Sequence, residues 1–266
     1  MQTWRPFEGE WGVVLGASSG FGAATARALG RHGMSIVGVH LDRKATLPLA
    51  IAVEADVKAA GAQAQFFNVN AADPDKRSQV CDRVRELTGG KPVRVLLHSL
   101  AFGTLRPFVS DDRAQQTTRL QLEMTLDVMA HSLVYWVQEL HGRGLLGEGS
   151  RVFAMTSSGG TRVMPAYGSV SAAKAALESH VRQLALELGA ARITVNAIRA
   201  GVTDTPASRK IPAAELLFQE AARRNPGCRL TVPEDVAGAI VALSLPGAGW
   251  ISGNVIGVDG GEDVTA

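Results

Sequence analysis

Apolar positions follow two alternating rhythms along the chain. Short runs rich in β-branched residues stand at Gly12–Leu15, Met34–Val39, Ala64–Val69, Val93–His98, Arg151–Met155, Ile193–Ile198 and Asn254–Val258. Between them, Ala/Leu/Glu/Arg-rich segments with helical patterns lie near residues 20–31, 46–61, 74–88, 112–142, 168–189 and 232–244. Strand–helix alternation of this kind predicts an α/β fold with a parallel sheet covered on both faces. Right-handed crossovers make that sheet doubly wound, a Rossmann-type arrangement of seven strands flanked by helices. The helix at 232–244 carries a start signal: Thr231, Glu234 three residues later, and Pro233 in the first turn.

Composition narrows the picture. The chain has 266 residues, 46% of them hydrophobic. A chain of this length forms a single α/β domain and buries roughly three quarters of its unfolded surface. No repeat, low-complexity tract or linker interrupts residues 1–266. The formal net charge of +2 argues against nucleic acid or a membrane surface as a partner recruited by bulk charge. Cys81 and Cys228 show neither metal nor disulfide spacing, so a reducing, cytoplasmic location is expected. The opening MQTWRPFEGEW has no apolar run of the kind a secretory leader needs, and no uncharged stretch approaches the ~20 residues of a membrane span. No metal-ligand spacing is present, and no metal is expected.

The first run leads into Gly16-Ala17-Ser18-Ser19-Gly20-Phe21-Gly22, with a helical pattern at once behind it. This is G-x-x-x-G-x-G, close to the dinucleotide fingerprint. Glycines allow the backbone to approach a pyrophosphate, and free N–H groups at a helix start hold its charge. Ser18 and Ser19 add hydroxyl donors.

With these segments in order, the sequence resembles the short-chain dehydrogenase/reductase superfamily over essentially its whole length. The resemblance rests on LGASSGFG, Asn68-Val69, HSLA at 98–101, SS at 157–158, Tyr167 with Lys174, VNAIRAG at 195–201 with TDT, PEDVAGA at 233–239 and SGNVIGVDGG at 252–261. Most members place the tyrosine four residues before the lysine, but that position here is Val170, which has no proton to give. Tyr167 lies seven before Lys174, a Tyr-x6-Lys spacing similar to that of the enoyl-acyl-carrier-protein reductase branch. HSLAF at 98–102 and Met129, where the superfamily has its catalytic asparagine, also resemble that branch. Ser157 departs from it: the best-known enoyl reductases carry a second tyrosine there, whereas ordinary carbonyl reductases carry a catalytic serine. An NADPH-dependent minority of enoyl reductases combines these features.

The resemblance implies a catalytic set of Tyr167, Lys174 and Ser157. It implies a cofactor site made of Gly16, Ser18, Ser19, Gly20, Phe21 and Gly22; His40 and Arg43; Asn68 and Val69; Ser99, Leu100 and Ala101; Lys174; and Gly201, Thr203 and Thr205. Seven helical residues rise about 10.5 Å, two turns, so Tyr167 and Lys174 share a face. Lys174 would hold the nicotinamide ribose, and its charge eases donation by the Tyr167 phenol. Asp42 after the second strand speaks for NADH, whereas Arg43 and Lys44 speak for NADPH, the expected cofactor. The same residues serve reduction of an enoyl thioester, small or carrier-bound, and reduction of a ketone; a non-catalytic dinucleotide-binding protein is the third reading. Residues 203–229 correspond to a substrate lid, with Ile211, Leu216, Leu217 and Phe218 as its apolar surface and Arg209, Lys210, Arg223 and Arg224 as its cations. The resemblance also implies a homotetramer. His98, Trp4 and Trp11 read as packing residues.

Overall fold

The computed structural model describes residues 4–265. Met1–Thr3, the first residues of the stretch read for a leader, lie outside the described residues. Seven parallel strands form one sheet in the order β3-β2-β1-β4-β5-β6-β7. They are β1 (Trp11–Leu15), β2 (Ser35–His40), β3 (Ala64–Asn68), β4 (Val95–His98), β5 (Arg151–Ser157), β6 (Thr194–Ala200) and β7 (Val255–Val258). Each expected run holds one strand, with bounds shifted by two residues or fewer. The order reverses between β1 and β4. Ligands of doubly wound sheets bind outside the carboxyl ends of the strands at such a switch point.

Alternation within the buried strands divides the core. Val13, Leu15, Leu96, Val152, Ala154 and Val195 face one layer, made by α3 (Pro74–Thr88), α5 (Ser132–Gly142) and α6 (Gly168–Leu188). Val14, Ile36, Val95, Leu97, Phe153 and Ile198 face the other, made by α1 (Gly20–Arg31), α2 (Leu47–Ala59) and α8 (Pro233–Leu243). Trp136, fully buried on α5, donates its indole N–H to the Ala71 carbonyl at 2.8 Å, so the large ring enters the core with its polar atom satisfied.

Several elements depart from the sequence expectation. The pattern at 112–142 is not one helix. Irregular chain and a short 3-10 turn precede α4 (Arg119–Leu126), which starts at a capping box between Thr118 and Gln121. A π turn at Asp127–His131 then separates α4 from α5. Residues 203–229 contain a helix, α7 (Ala214–Arg224), which periodicity did not separate from the lid. The cap of α8 is also one residue later than expected. Val232 is the N-cap residue, and its N–H donates to the Asp235 carboxylate at 2.9 Å. Thr231 is instead buried beside Gly201. Of the two tryptophans expected to pack, Trp11 is buried on β1, but Trp4 is 60% exposed and stands edge-on to His32.

The β1–α1 corner is packed backbone against backbone. Gly16 has φ +87°, and a Cβ there would collide with the Ser99 carbonyl at the end of β4. A Cβ on Gly22 would collide with the Gly16 carbonyl. Neither neighbour is a side chain able to swing away. Gly22→Ala should therefore destabilise the fold by about 2 kcal/mol, seen as a fall of about 5 °C in the melting temperature. An unchanged melting curve would show that the corner relaxes freely.

Candidate active site

At the carboxyl edge of the sheet, around the switch point, lies a cavity of about 440 Å³. Phe21 from the glycine loop, Ser99–Ala101 after β4, Ser157 at the end of β5, Tyr167 and Lys174, and Gly201, Thr203 and Thr205 after β6 all line it. One hollow thus collects most of the residues implied by the resemblance.

Tyr167 is the N-cap residue of α6 and stands just before the helix proper. Its neighbour Ala166 has φ +60°, a left-handed conformation unusual for a residue with a side chain. Two glycines make room for the ring and its approach. A Cβ on Gly159 would lie 2.5 Å from Tyr167 Cε1, and one on Gly168 would lie 2.7 Å from the Phe108 ring. Burial raises the Tyr167 phenol above its ordinary pKa, and the Ser157 hydroxyl beside it offsets part of the rise. The phenol is therefore protonated at neutral pH. The Ser157 hydroxyl is itself buried and has no hydrogen-bond partner of normal geometry among the described residues.

Lys174 is 6% exposed, and its Nζ donates to the Met155 carbonyl at 2.7 Å. Burial pulls its pKa down to about 8, against the opposing charge of Glu178. His98, as expected, is a core residue. It is fully buried and paired through Nε2 with the Ser132 hydroxyl at 2.8 Å. Because the Ser132 hydroxyl donates to the Val128 carbonyl at 2.7 Å, His98 is the donor in that pair. Burial, and then the charge of Lys174, push His98 down to about 3.

Met129 and Val170 stand where the superfamily's asparagine and its usual tyrosine would be. Both line the cavity, and Gly103 is wedged between them. A Cβ on Gly103 would meet Val170 Cγ2 at 2.8 Å and Met129 Sδ at 2.9 Å. The loop after β4 therefore packs directly against both side chains. Sequence reading noted both substitutions but not the loop that fills them.

The dinucleotide end fits the expected group. Ser19 caps α1 with extended backbone and makes no side-chain capping bond, so the N–H groups of the first turn face outward at the glycine loop. The remaining positions divide by task. Asn68 is turned to the backbone of Asp42: its Oδ1 accepts from Asp42 N at 2.9 Å, and its Nδ2 donates to Asp42 O at 3.0 Å. Val69 N–H donates to His40 O at 2.8 Å. These bonds fasten the ends of β2 and β3. His40 is buried and donates through Nδ1 to the Asp42 carboxylate at 2.8 Å. Burial raises the Asp42 pKa, but hydrogen bonds from Thr46, Ser18 and His40 more than offset it and leave it below the ordinary value. Arg43 is exposed.

The lid is tied down at both ends. Thr203 donates to Gly201 O at 3.0 Å, and Thr205 shares a hydrogen bond with Ser208 at 3.1 Å. The Thr205 methyl packs beside Gly20, 3.5 Å from where its Cβ would be, so the lid begins against the glycine loop. At the far end, the buried Glu262 carboxylate accepts from Arg224 at 3.1 Å and from Val202 N–H at 2.9 Å. Of the apolar lid residues, Ile211 and Leu217 line the cavity. Leu216 is 64% exposed and Phe218 is buried, and neither borders the cavity, because α7 turns those two positions away. Lys210 and Arg224 reach the rim. Arg209 and Arg223 pair instead with Asp204 and Glu220. Phe102, Leu105 and Met164 complete the apolar wall. They come from irregular loops, which carry no periodic signal.

Among the described residues, no cluster of three or more potential metal ligands occurs. None of their helices is long and apolar enough to cross a membrane.

Comparison with known proteins agrees with this geometry. The family described as Enoyl-(Acyl carrier protein) reductase matches residues 16–263. Versicolorin reductase from Emericella nidulans is 30% identical, with 96% of each chain covered. The NADH-dependent enoyl-[acyl-carrier-protein] reductase of a Nostoc species is 31% identical over 75% of each chain. A short-chain dehydrogenase from Burkholderia cenocepacia J2315, solved in complex with NADP, superposes with a TM-score of 0.83 at 29% identity, covering 97% of this chain and 99% of that one. The chain thus belongs to the enoyl-(acyl carrier protein) reductase family of the short-chain dehydrogenase/reductase superfamily and is an NAD(P)H-dependent oxidoreductase.

Proposed function

We propose that the enzyme reduces the C=C bond of an enoyl thioester, free or carrier-bound. The observation that carries this reading is the arrangement at the cavity floor. Tyr167 is its one phenol, it faces the same hollow as Lys174, and the two positions that would otherwise bear polar groups are the apolar Met129 and Val170. Leu105, Met164, Ile211 and Leu217 offer an apolar wall suited to an acyl chain.

A bound dinucleotide would supply the hydride that reaches the β-carbon, with solvent supplying the proton that finally quenches the α-carbon. Negative charge then collects on the thioester oxygen, and the Tyr167 phenol, kept protonated by burial, donates a hydrogen bond to it. Lys174 would hold the nicotinamide ribose hydroxyls, and its ammonium would favour the charged transition state. Thr203 and Thr205 would border the nicotinamide end, and the glycine loop with Ser18 and Ser19 would hold the pyrophosphate. Lys174 is buried and Tyr167 is partly buried, which limits the water that reaches the reacting oxygen. A second reading, carbonyl reduction, is favoured by one observation: the buried, unpartnered Ser157 hydroxyl beside Tyr167 supplies a second donor for a ketone oxygen.

NADPH is the proposed reductant. The Asp42 carboxylate is engaged by His40, Ser18 and Thr46. Arg43 and Lys44 are exposed and pair with no carboxylate of the described residues. We also place the enzyme in the cytoplasm, where Cys81 and Cys228 remain unpaired thiols, and propose a homotetramer. Trp250 is 99% exposed and Leu186 is 77% exposed, and the last segment runs beside α6 at Gly253 and Ala185.

Tyr167→Phe should lower kcat by about 100-fold while leaving the fold and NADPH affinity intact, measured with a crotonyl thioester beside an acetoacetyl thioester. Turnover of the acetoacetyl substrate alone would replace the enoyl reading with the carbonyl one. Arg43→Ala should raise KM for NADPH about tenfold and leave KM for NADH unchanged. Equal effects on both would remove Arg43 from cofactor choice. Light scattering at micromolar concentration should give four times the 28.0 kDa chain mass; a monomer would contradict the assembly.

A further inference from the structure

Glu178 lies one turn beyond Lys174 on α6, half-buried, and takes no part in the reaction as described. Its Oε1 accepts a hydrogen bond from the Thr156 hydroxyl at 2.7 Å. Lys174 Nζ donates to the carbonyl of the preceding residue, Met155, also at 2.7 Å. Adjacent residues of β5 thus hold the two side chains of α6. The 3-10 turn Ser158–Gly160 closes over both. A Cβ on Gly160 would stand 3.3 Å from Glu178 Oε1 and 3.5 Å from Lys174 Cβ. The one hydrogen-bond acceptor that the described residues give Lys174 is a neutral carbonyl, and a buried ammonium with a neutral partner loses its proton readily.

We infer that Glu178 is a positioning residue: its carboxylate, fixed by Thr156, is the counter-charge that keeps Lys174 protonated and aimed at the cofactor. This rests on Lys174 as the residue that holds the nicotinamide ribose.

The other ionisable groups around Lys174 do not fill this role. His98 on β4 is neutral, and Tyr167 is a neutral phenol. Arg162, Lys210 and Arg224 at the rim are cations; Arg162 pairs with Asp263 and Arg224 with Glu262. On the π turn packed against α6, His131 is hydrogen-bonded to His180 at 3.0 Å. Neither Asp127 nor Glu178 makes a direct ion pair with Lys174, but Glu178, one turn away and fixed by Thr156, is the carboxylate whose charge acts on it. The turn Ser158–Gly160 and residues 155–157 of β5 contribute no ionisable side chain. Burial draws Lys174 down to about 8, and the Glu178 charge resists that fall. Without the charge, the protonated form survives only at lower pH.

Glu178→Gln is near-isosteric, and its amide oxygen still accepts from Thr156, so it removes the charge and keeps the hydrogen bond. At pH 6 the variant should match the wild type in NADPH affinity, read by nicotinamide fluorescence, and in kcat/KM. The alkaline limb of both should move down by about one pH unit, a loss of about fivefold at pH 8. In protein labelled with ¹³Cε-lysine and free of cofactor, the Lys174 titration midpoint should move the same way. Glu178→Asp, which keeps the charge, should return most of the shift. A Glu178→Gln midpoint equal to the wild type overturns the proposal. Should that variant not fold, Thr156→Val carries the test. It releases the carboxylate from its donor and should move the midpoint in the same direction by less, and an unmoved midpoint there also overturns it. Lys174→Met separates the two levels. If it binds NADPH normally, the assigned role of Lys174 itself fails. If it loses affinity while Glu178→Gln titrates like the wild type, only the role of Glu178 fails.

Discussion

The hydrogen bond from the buried Lys174 ammonium to the Met155 carbonyl seats α6 on β5, and the arrangement of the cavity depends on it. A strand interior offers few carbonyls to a side chain, because its backbone groups pair with neighbouring strands. Met155 lies near the carboxyl end of β5, where β4 has already ended: β4 pairs with β5 only as far as Ala154. The carbonyl that Lys174 takes is therefore one the sheet leaves free on that side. Strand length, and not a special loop, provides the anchor. From it follow the direction of α6, the position of Tyr167 at its start, and the closing of the turn Ser158–Gly160 over both.

The same logic separates what was legible in the sequence from what was not. Continuous apolar runs such as Val13–Leu15 and Val95–Leu97 are buried on both faces, and they read as strands because nothing polar intervenes. The glycine loop was legible because Gly16 and Gly22 meet backbone atoms, a demand that only glycine satisfies. The pattern at 112–142 misled because the π turn at Asp127–His131 joins two helices with no glycine or proline to mark the join. The Thr231 signal misled for another reason. Its hydroxyl is buried against Gly201, and the α8 start is held by Asp235, which also pairs with Arg229. Tertiary packing outweighed a local capping rule. The loop residues Leu105 and Met164 had no signal at all, since their contribution depends on where irregular chain happens to pass.

Within the site, the polar groups are few and the apolar ones decide. Met129, Val170 and the Gly103 loop form a floor without side-chain donors, beside which stand the Tyr167 and Ser157 hydroxyls and Lys174. A floor of this kind places one strong donor against a developing oxyanion and gives the rest of the substrate only dispersion contacts.

The Tyr-x6-Lys spacing can now be given a structural reason beyond two turns on one helical face. Tyr167 precedes the helix, so its ring is not directed by helical periodicity. Its direction is set by Ala166 in the left-handed region, a conformation that costs an L-residue about 1 kcal/mol or more. That cost is offset by contacts that only glycines permit, with Gly159 passing close to the Tyr167 ring and Gly168 against the Phe108 ring. A tyrosine four residues before the lysine would lie inside the helix, at Val170, and there the Gly103 loop fills the space. The strained turn and the filled floor are two sides of one arrangement. Moving the phenol to the helix start leaves room for the loop, and the loop in turn keeps the phenol from any other position.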